Sequence, residues 1–138
     1  MYGYDVYWLE RMVLMGAMIE SKDLEFIKNV MGDRFGMMLE LFIQDGNKYI
    51  RTIKEGLAEN DVEKIRSPAH TIKSSAKQIG IKAIYEAAEK IEEVASQIQD
   101  QDQLNHYYGE LSSMHEQLRA SMEAVEPELR ALMTNNDA

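Results

Sequence analysis

Apolar residues recur at steps of three and four along most of this chain, and no convincing run of period two interrupts them. That spacing gathers them on one face of a helix, so the pattern predicts an all-α protein. From about Asp33 to Glu59, the residues Phe35, Met38, Phe42, Tyr49, Ile53 and Leu57 form one stripe, with Gly46 on the same face. Glycine there costs about 1 kcal/mol of helix propensity relative to alanine, which points to close approach by a neighbouring helix. Asn60 can cap a helix beginning at Asp61, with Glu63 placed to reach back as in a capping box. Val62, Ile65, Ala69, Ile72, Ala76 and Ile79 then hold a single seam up to Gly80, a natural stop. Taken alone, Ser67-Pro68 reads as a fresh helix start. Because Val62, Ile65 and Ala69 keep register with Ile72 across it, one helix is expected, bent where the Lys64 carbonyl loses its partner.

A following helix, about Lys82 to Gln99, carries Ile84, Ala87, Ile91, Val94 and Ile98 in the same rhythm. Another, about Asp102 to Val125, carries Leu104, Tyr108, Leu111, His115, Leu118, Met122 and Val125, and Pro127 is expected to end it. Four amphipathic helices with short connections bury their stripes against one another. The expected architecture is therefore an antiparallel up-down four-helix bundle over residues 23–126. Residues 1–22 read as an additional N-terminal helical extension, since Tyr4 to Ile19 is apolar almost all round and suits one or two helices packed over the bundle. Residues 127–138 read as a C-terminal tail, either a short helix or a frayed end.

Composition narrows the class. With 138 residues and 45% hydrophobic content, the chain suits one domain with a single core. No cysteine is present, so disulfides and thiolate metal sites are excluded, and a cytoplasmic location is expected. The longest uncharged run, Met12 to Ile19, is far below the roughly 20 residues needed to cross a bilayer, and the N-terminus does not read as a signal peptide. A formal net charge of -9 repels nucleic acid and anionic membrane surfaces, so neither is an expected partner.

Against that acidic background, one helix stands out. Asp61 to Gly80 holds Lys64, Arg66, Lys73 and Lys77 against Asp61 and Glu63, a net +2 that leaves -11 for the remainder. With Ile72 at zero on a 100° wheel, the seam centres near about +30° and His70 falls near about 160°, on the solvent side. Arg66, Lys73, Ser74, Lys77 and Ser67 share that face. Solvated helix faces commonly carry basic side chains, so the charge alone does not decide between a bland surface and an anion site. Chemically, the arrangement suits reversible capture of a phosphoryl group. An exposed imidazole is largely neutral near pH 7, and a neutral ring nitrogen can attack phosphorus. Lys73, one turn along, can offset the charge of the transferred group, while Ser74 or Ser75 can donate a hydrogen bond.

The segment His70-Thr-Ile-Lys73-Ser74-Ser75-Ala-Lys-Gln-Ile-Gly80 resembles the signature of histidine-containing phosphotransfer domains. That signature is a histidine, any residue, leucine, lysine, glycine or serine, two small residues, and a glycine ten positions after the histidine. The resemblance extends from roughly Leu24 to Val125. It implies a bundle that displays His70 midway along one helix. It also implies that His70 accepts phosphoryl from a receiver-domain aspartyl phosphate and passes it to another receiver's aspartate. Lys73 matches the lysine that stabilises the phosphoryl group, and Gly80 the terminal glycine. Arg66, Lys77 and Gly80 are the expected partner-binding residues. The expected partners are receiver domains of response regulators and hybrid histidine kinases. No cofactor of its own is expected; the receiver brings Mg²⁺, and a monomer is expected. Ser74 departs from the glycine found in many members, which bears on partner choice more than on chemistry.

Other readings fare less well. A histidine-kinase dimerisation helix places an acidic residue after the histidine and a proline a few residues later, whereas here Thr71 follows and Pro68 precedes. A metal-binding bundle calls for Glu-x-x-His spacing, which does not occur. His115, on or beside an apolar stripe, reads as a packed and hydrogen-bonded histidine, and His106 receives no role. A passive helical adaptor that binds a receiver without being phosphorylated predicts the same fold.

Overall fold

The computed structural model describes residues 21–135, so the helices expected over Tyr4 to Ile19 lie outside the described residues. Helix α1 spans Ser21–Met31, and a 3-10 turn over Gly32–Arg34 leads into α2, Phe35–Glu59. Helices α3 (Glu63–Gln78), α4 (Lys82–Ser96) and α5 (Gln101–Asn135) follow, and no strand occurs among the described residues. Each of α2 to α5 packs on the next, and α5 closes against α2. With connections of three or four residues, this is an antiparallel four-helix bundle. None of its described helices is long and apolar enough to cross a membrane.

The predicted stripes supply the core. Leu39, Ile43, Ile53, Ile65, Ile72, Ile84, Ile91, Leu104, Leu111 and Leu118 are essentially fully buried. Burial of each such side chain is worth about 1.5–3 kcal/mol, which is what holds the helices side by side. Helix α1 adds Leu24 to this core, with Ile27 and Met31 packed against it. Tyr108 is the exception in the α5 stripe. It lies at the stripe's edge and remains 42% exposed.

Two glycines let α2 approach its neighbours. A Cβ on Gly46 would lie 2.5 Å from the Met122 Cε of α5, the close approach that its place on the stripe implied. A Cβ on Gly56 would lie 2.8 Å from the Lys64 Cβ and 3.0 Å from the Lys64 carbonyl carbon. Here the obstacle includes backbone, so the α2–α3 crossing depends on the missing side chain.

The turn between α2 and α3 differs from the sequence expectation. Asn60 does not cap α3; it closes α2 in the left-handed region, at φ 54° and ψ 42°. The Asn60 amide donates to the Leu57 carbonyl and the Asp61 amide to the Gly56 carbonyl, the paired bonds of a Schellman ending. Asparagine tolerates that conformation better than other residues with a Cβ. Asp61 then caps α3, its Oδ1 accepting from the amides of Glu63 at 3.2 Å and Lys64 at 3.3 Å. At the other end, Gly80 adopts φ 75°, with Gly80 donating to Lys77 and Ile81 to Ala76. The same ending thus stops α3 where expected.

Helix α3 continues across Pro68, as the seam predicted, and buries the ring. Pro127, expected to end α5, does not: the helix runs on to Asn135. The proline leaves the Glu123 carbonyl without an amide donor, but Glu123 and Pro127 are both exposed, so water can satisfy it. Past the proline, Leu129 is fully buried and Leu132 and Met133 pack on the core. Arg130 pairs with Glu126 on its own helix and with Glu40 on α2 at 2.8 Å, and this tertiary anchoring overrides the local break.

Candidate functional site

The seam of α3 faces inward through Ile65, Ala69, Ile72 and Ala76, which forces His70 outward in the middle of the helix. Its side chain is 57% exposed. The expected solvent-facing histidine is therefore in place, with the helix backbone holding its stem.

Its ring is not isolated. Nδ1 is paired with Oε2 of Glu92, a residue of α4, and the other carboxylate oxygen of Glu92 is paired with the Lys73 ammonium. One carboxylate thus spans two side chains that sit one turn apart on α3. Glu92 follows the fully buried Ile91, so it stands at the boundary between α3 and α4 and is only 14% exposed. Burial pushes it toward the neutral form, but hydrogen bonds from Lys73 and His70, together with the Lys73 charge, outweigh this and hold it below the usual carboxylate value. Lys73 is raised above its ordinary value, chiefly by the hydrogen bond to Glu92.

An ionised carboxylate accepts hydrogen bonds and donates none. The proton of the neutral imidazole accordingly sits on Nδ1, and Nε2 carries the lone pair. The ring presents a nucleophilic nitrogen to solvent, with a fixed anion behind it and a cation alongside.

The other expected residues are less tightly gathered. Arg66 shares the face but binds Glu63, its Nε donating at 3.2 Å with a second contact from the guanidinium tip. Lys77 is exposed and has no ion-pair partner among the described residues. Ser74 stays on the solvent side, partly exposed, whereas Ser75 opens into a cleft between α2 and α3 with Gly46, Ile72 and Ile79. The structure does not bring Ser75 to His70. Gly80 ends the helix ten residues on, about 15 Å along the axis from the histidine.

Glu92 was missed from sequence. The α4 segment offers Glu86, Glu89, Glu92 and Glu93, and helical spacing alone cannot say which faces α3. The one usable signal was its position directly after Ile91 at the edge of the apolar stripe.

Comparison with known proteins bears on the family and the fold. The family profile described as Hpt domain matches residues 37–128, more than half of the chain. A search of curated proteins finds no match. Among solved structures, the chain is similar to histidine-containing phosphotransfer protein B (HptB) from Pseudomonas aeruginosa PAO1. The TM-score is 0.69 and the identity 19%, covering 86% of this chain and 92% of that one. At that identity the likeness speaks for the fold, while the profile match speaks for the family. This chain belongs to the Hpt domain family, the histidine phosphotransfer domains of phosphorelays.

Proposed function

We propose that His70 is the phosphoacceptor of this chain and that it relays a phosphoryl group between receiver-domain aspartates. The observation that carries this reading is the bridge from His70 through Glu92 to Lys73. The Nε2 lone pair attacks the phosphorus of an aspartyl phosphate in line with the departing oxygen. A nitrogen–phosphorus bond forms, the phosphorus–oxygen bond breaks, and the aspartate leaves as a carboxylate with the electron pair. No proton has to move. The ring keeps its Nδ1 hydrogen and becomes cationic while phosphorylated, and the Glu92 carboxylate offsets that charge. Return transfer to a second receiver runs the same step backwards.

Lys73 is positioned to offset charge on the phosphoryl oxygens, and Ser74 to donate a hydrogen bond from the same face. Arg66 and Lys77 belong to the surface that a receiver covers; Gly80, expected there as well, is buried at the end of α3 and shapes the helix end instead of touching a partner. Catalysis here is positioning: the chain needs no cofactor of its own, Mg²⁺ comes with the receiver, and the chain has no ATP-dependent kinase activity. Receiver domains of response regulators or hybrid kinases are its partners, in the cytoplasm, and it acts as a monomer.

The test is to mix the chain with a phosphorylated receiver and Mg²⁺ and measure acid-labile phosphate. Wild type gains label and His70→Ala gains none. No label in either would leave only a passive adaptor, and equal labelling of the two would put the phosphoryl group on a residue other than His70. Labelling from ATP alone would instead make the chain a kinase.

A further inference from the structure

Across the bundle from His70, α2 and α5 enclose a groove of about 660 Å³. Its floor is apolar, formed by the buried Ile50 and Leu57, and Tyr108 and Ser112 stand on the α5 wall. On the α2 wall, Arg51 and Lys54 are both exposed and three residues apart. Like charges at that spacing repel and cost helix stability. Neither residue has an ion-pair partner among the described residues, whereas Lys64, Arg66, Lys73, Arg119 and Arg130 each hold a glutamate. Arg119 also borders the groove, but Glu116 and Glu123 already neutralise it. Glu116, on the α5 wall, also draws on the Lys54 charge, so the α2 wall keeps Arg51 uncompensated and Lys54 only partly offset.

Shape and charge together limit the occupant. The lining runs along α2 from Asn47 to Ala58, a rise of about 16 Å, too long for a single small anion to fill. Two cations three residues apart on one wall match a few carboxylates, not the continuous phosphate array of nucleic acid or an anionic membrane. A short segment that brings a few carboxylates and an apolar side chain meets both walls and the floor.

We propose that this groove docks a short, acidic and partly apolar polypeptide segment of a partner protein, with carboxylates on Arg51 and Lys54 and an apolar side chain over Ile50 and Leu57 beside Tyr108. The docking face lies on the α2–α5 side and His70 on the α3–α4 side. A partner held here leaves the phosphoacceptor open, so the groove can tether one protein while His70 exchanges phosphoryl with another.

The experiment titrates the isotope-labelled full chain with a twelve-residue peptide of glutamate and leucine in equal number. Parallel arms use the same peptide with lysine for glutamate, inorganic phosphate, and phosphatidylglycerol vesicles. The acidic peptide is expected to shift the amide resonances of Lys54, Tyr108 and Ser112 saturably. Combined Arg51→Glu and Lys54→Glu substitution is expected to weaken it by about tenfold or more. The doubly substituted chain keeps its helical circular dichroism and its phosphoryl uptake from a receiver, which separates this idea from the role of His70. Shifts confined to the His70 face, equal binding of the lysine peptide, or indifference to the charge reversal would each overturn it. Saturation of the groove by phosphate or vesicles alone would overturn it as well.

Discussion

The two histidines on facing sides of the bundle show how one residue type is turned to different ends. His70, on the α3–α4 side, keeps 57% of its side chain in solvent and leans on the Glu92 carboxylate. His115, on the α2–α5 side, is only 7% exposed, and its Nε2 bonds to the Ile50 carbonyl at 3.1 Å. Burial disfavours its charged form, and although the Ile50 carbonyl pulls the other way, its basicity falls below the ordinary value. Both rings meet an oxygen across a helix interface. What separates them is whether that oxygen carries a charge and whether solvent reaches most of the ring. The exposed ring has both, whereas the buried one serves packing.

The largest expected effect breaks this contrast outright. His70→Gln should abolish phosphoryl uptake from a phosphorylated receiver, while His115→Gln should retain it within a few-fold, as measured by acid-labile phosphate in the folded variants. If removing His115 silenced the protein as fully as removing His70, exposure would not be the distinguishing feature.

Next in size are the two partners of the exposed ring. Under the proposed relay, Lys73→Ala removes a cation one turn from His70 and should slow transfer by about 10²-fold, the scale of losing one preorganised stabilising group. Glu92→Gln keeps an acceptor for the Nδ1 hydrogen but loses the compensating charge, so a smaller slowing of about tenfold is expected. Nitrogen chemical shifts of the His70 ring should report the hydrogen on Nδ1 in wild type. A ring with its hydrogen on Nε2 would remove Glu92 from the proposed mechanism.

A stability comparison sharpens the same division between faces. On the α2–α3 side, Gly56→Ala drives a Cβ into the side chain and backbone of Lys64, which cannot step aside, and should cost about 1–3 kcal/mol. On the α2–α5 side, Gly46→Ala meets only the tip of the Met122 side chain. That tip can rotate away, and about 1 kcal/mol of helix propensity is regained, so the net change should be small. Urea unfolding of the two variants measures the difference, and equal losses would mean that the two crossings are equally rigid.

Much of this was legible in the chain because helical burial follows a fixed angular period. The seam from Val62 to Ile79 located α3 and turned His70 outward without any knowledge of its neighbours. Features set by contacts between helices were not legible. Asn60 and Asp61 are both good capping residues, and which one caps α3 depends on how α2 ends. Pro127 has the local chemistry of a stop, yet Leu129 and Arg130 hold the continuation in place from across the bundle. Glu92 was one of several acidic residues on α4, and only the packing of α4 on α3 selects it.

The smallest expected effect lies in the pH dependence of stability contributed by His115. An unfolded histidine titrates near about 6.5, and the folded one lower, so between the two values the unfolded chain binds more protons. Stability must then rise with pH through that interval. The contribution is fully present above the unfolded value and is lost as pH falls through the folded one. Proton resonances of the His115 ring, followed from pH 8 downward, should move with a midpoint below about 6.5, and His115→Gln should flatten the corresponding slope in urea-unfolding free energy. A midpoint at or above the unfolded value would mean that the Ile50 carbonyl outweighs burial, and the ring would then be held partly by its charge instead of by the core around it.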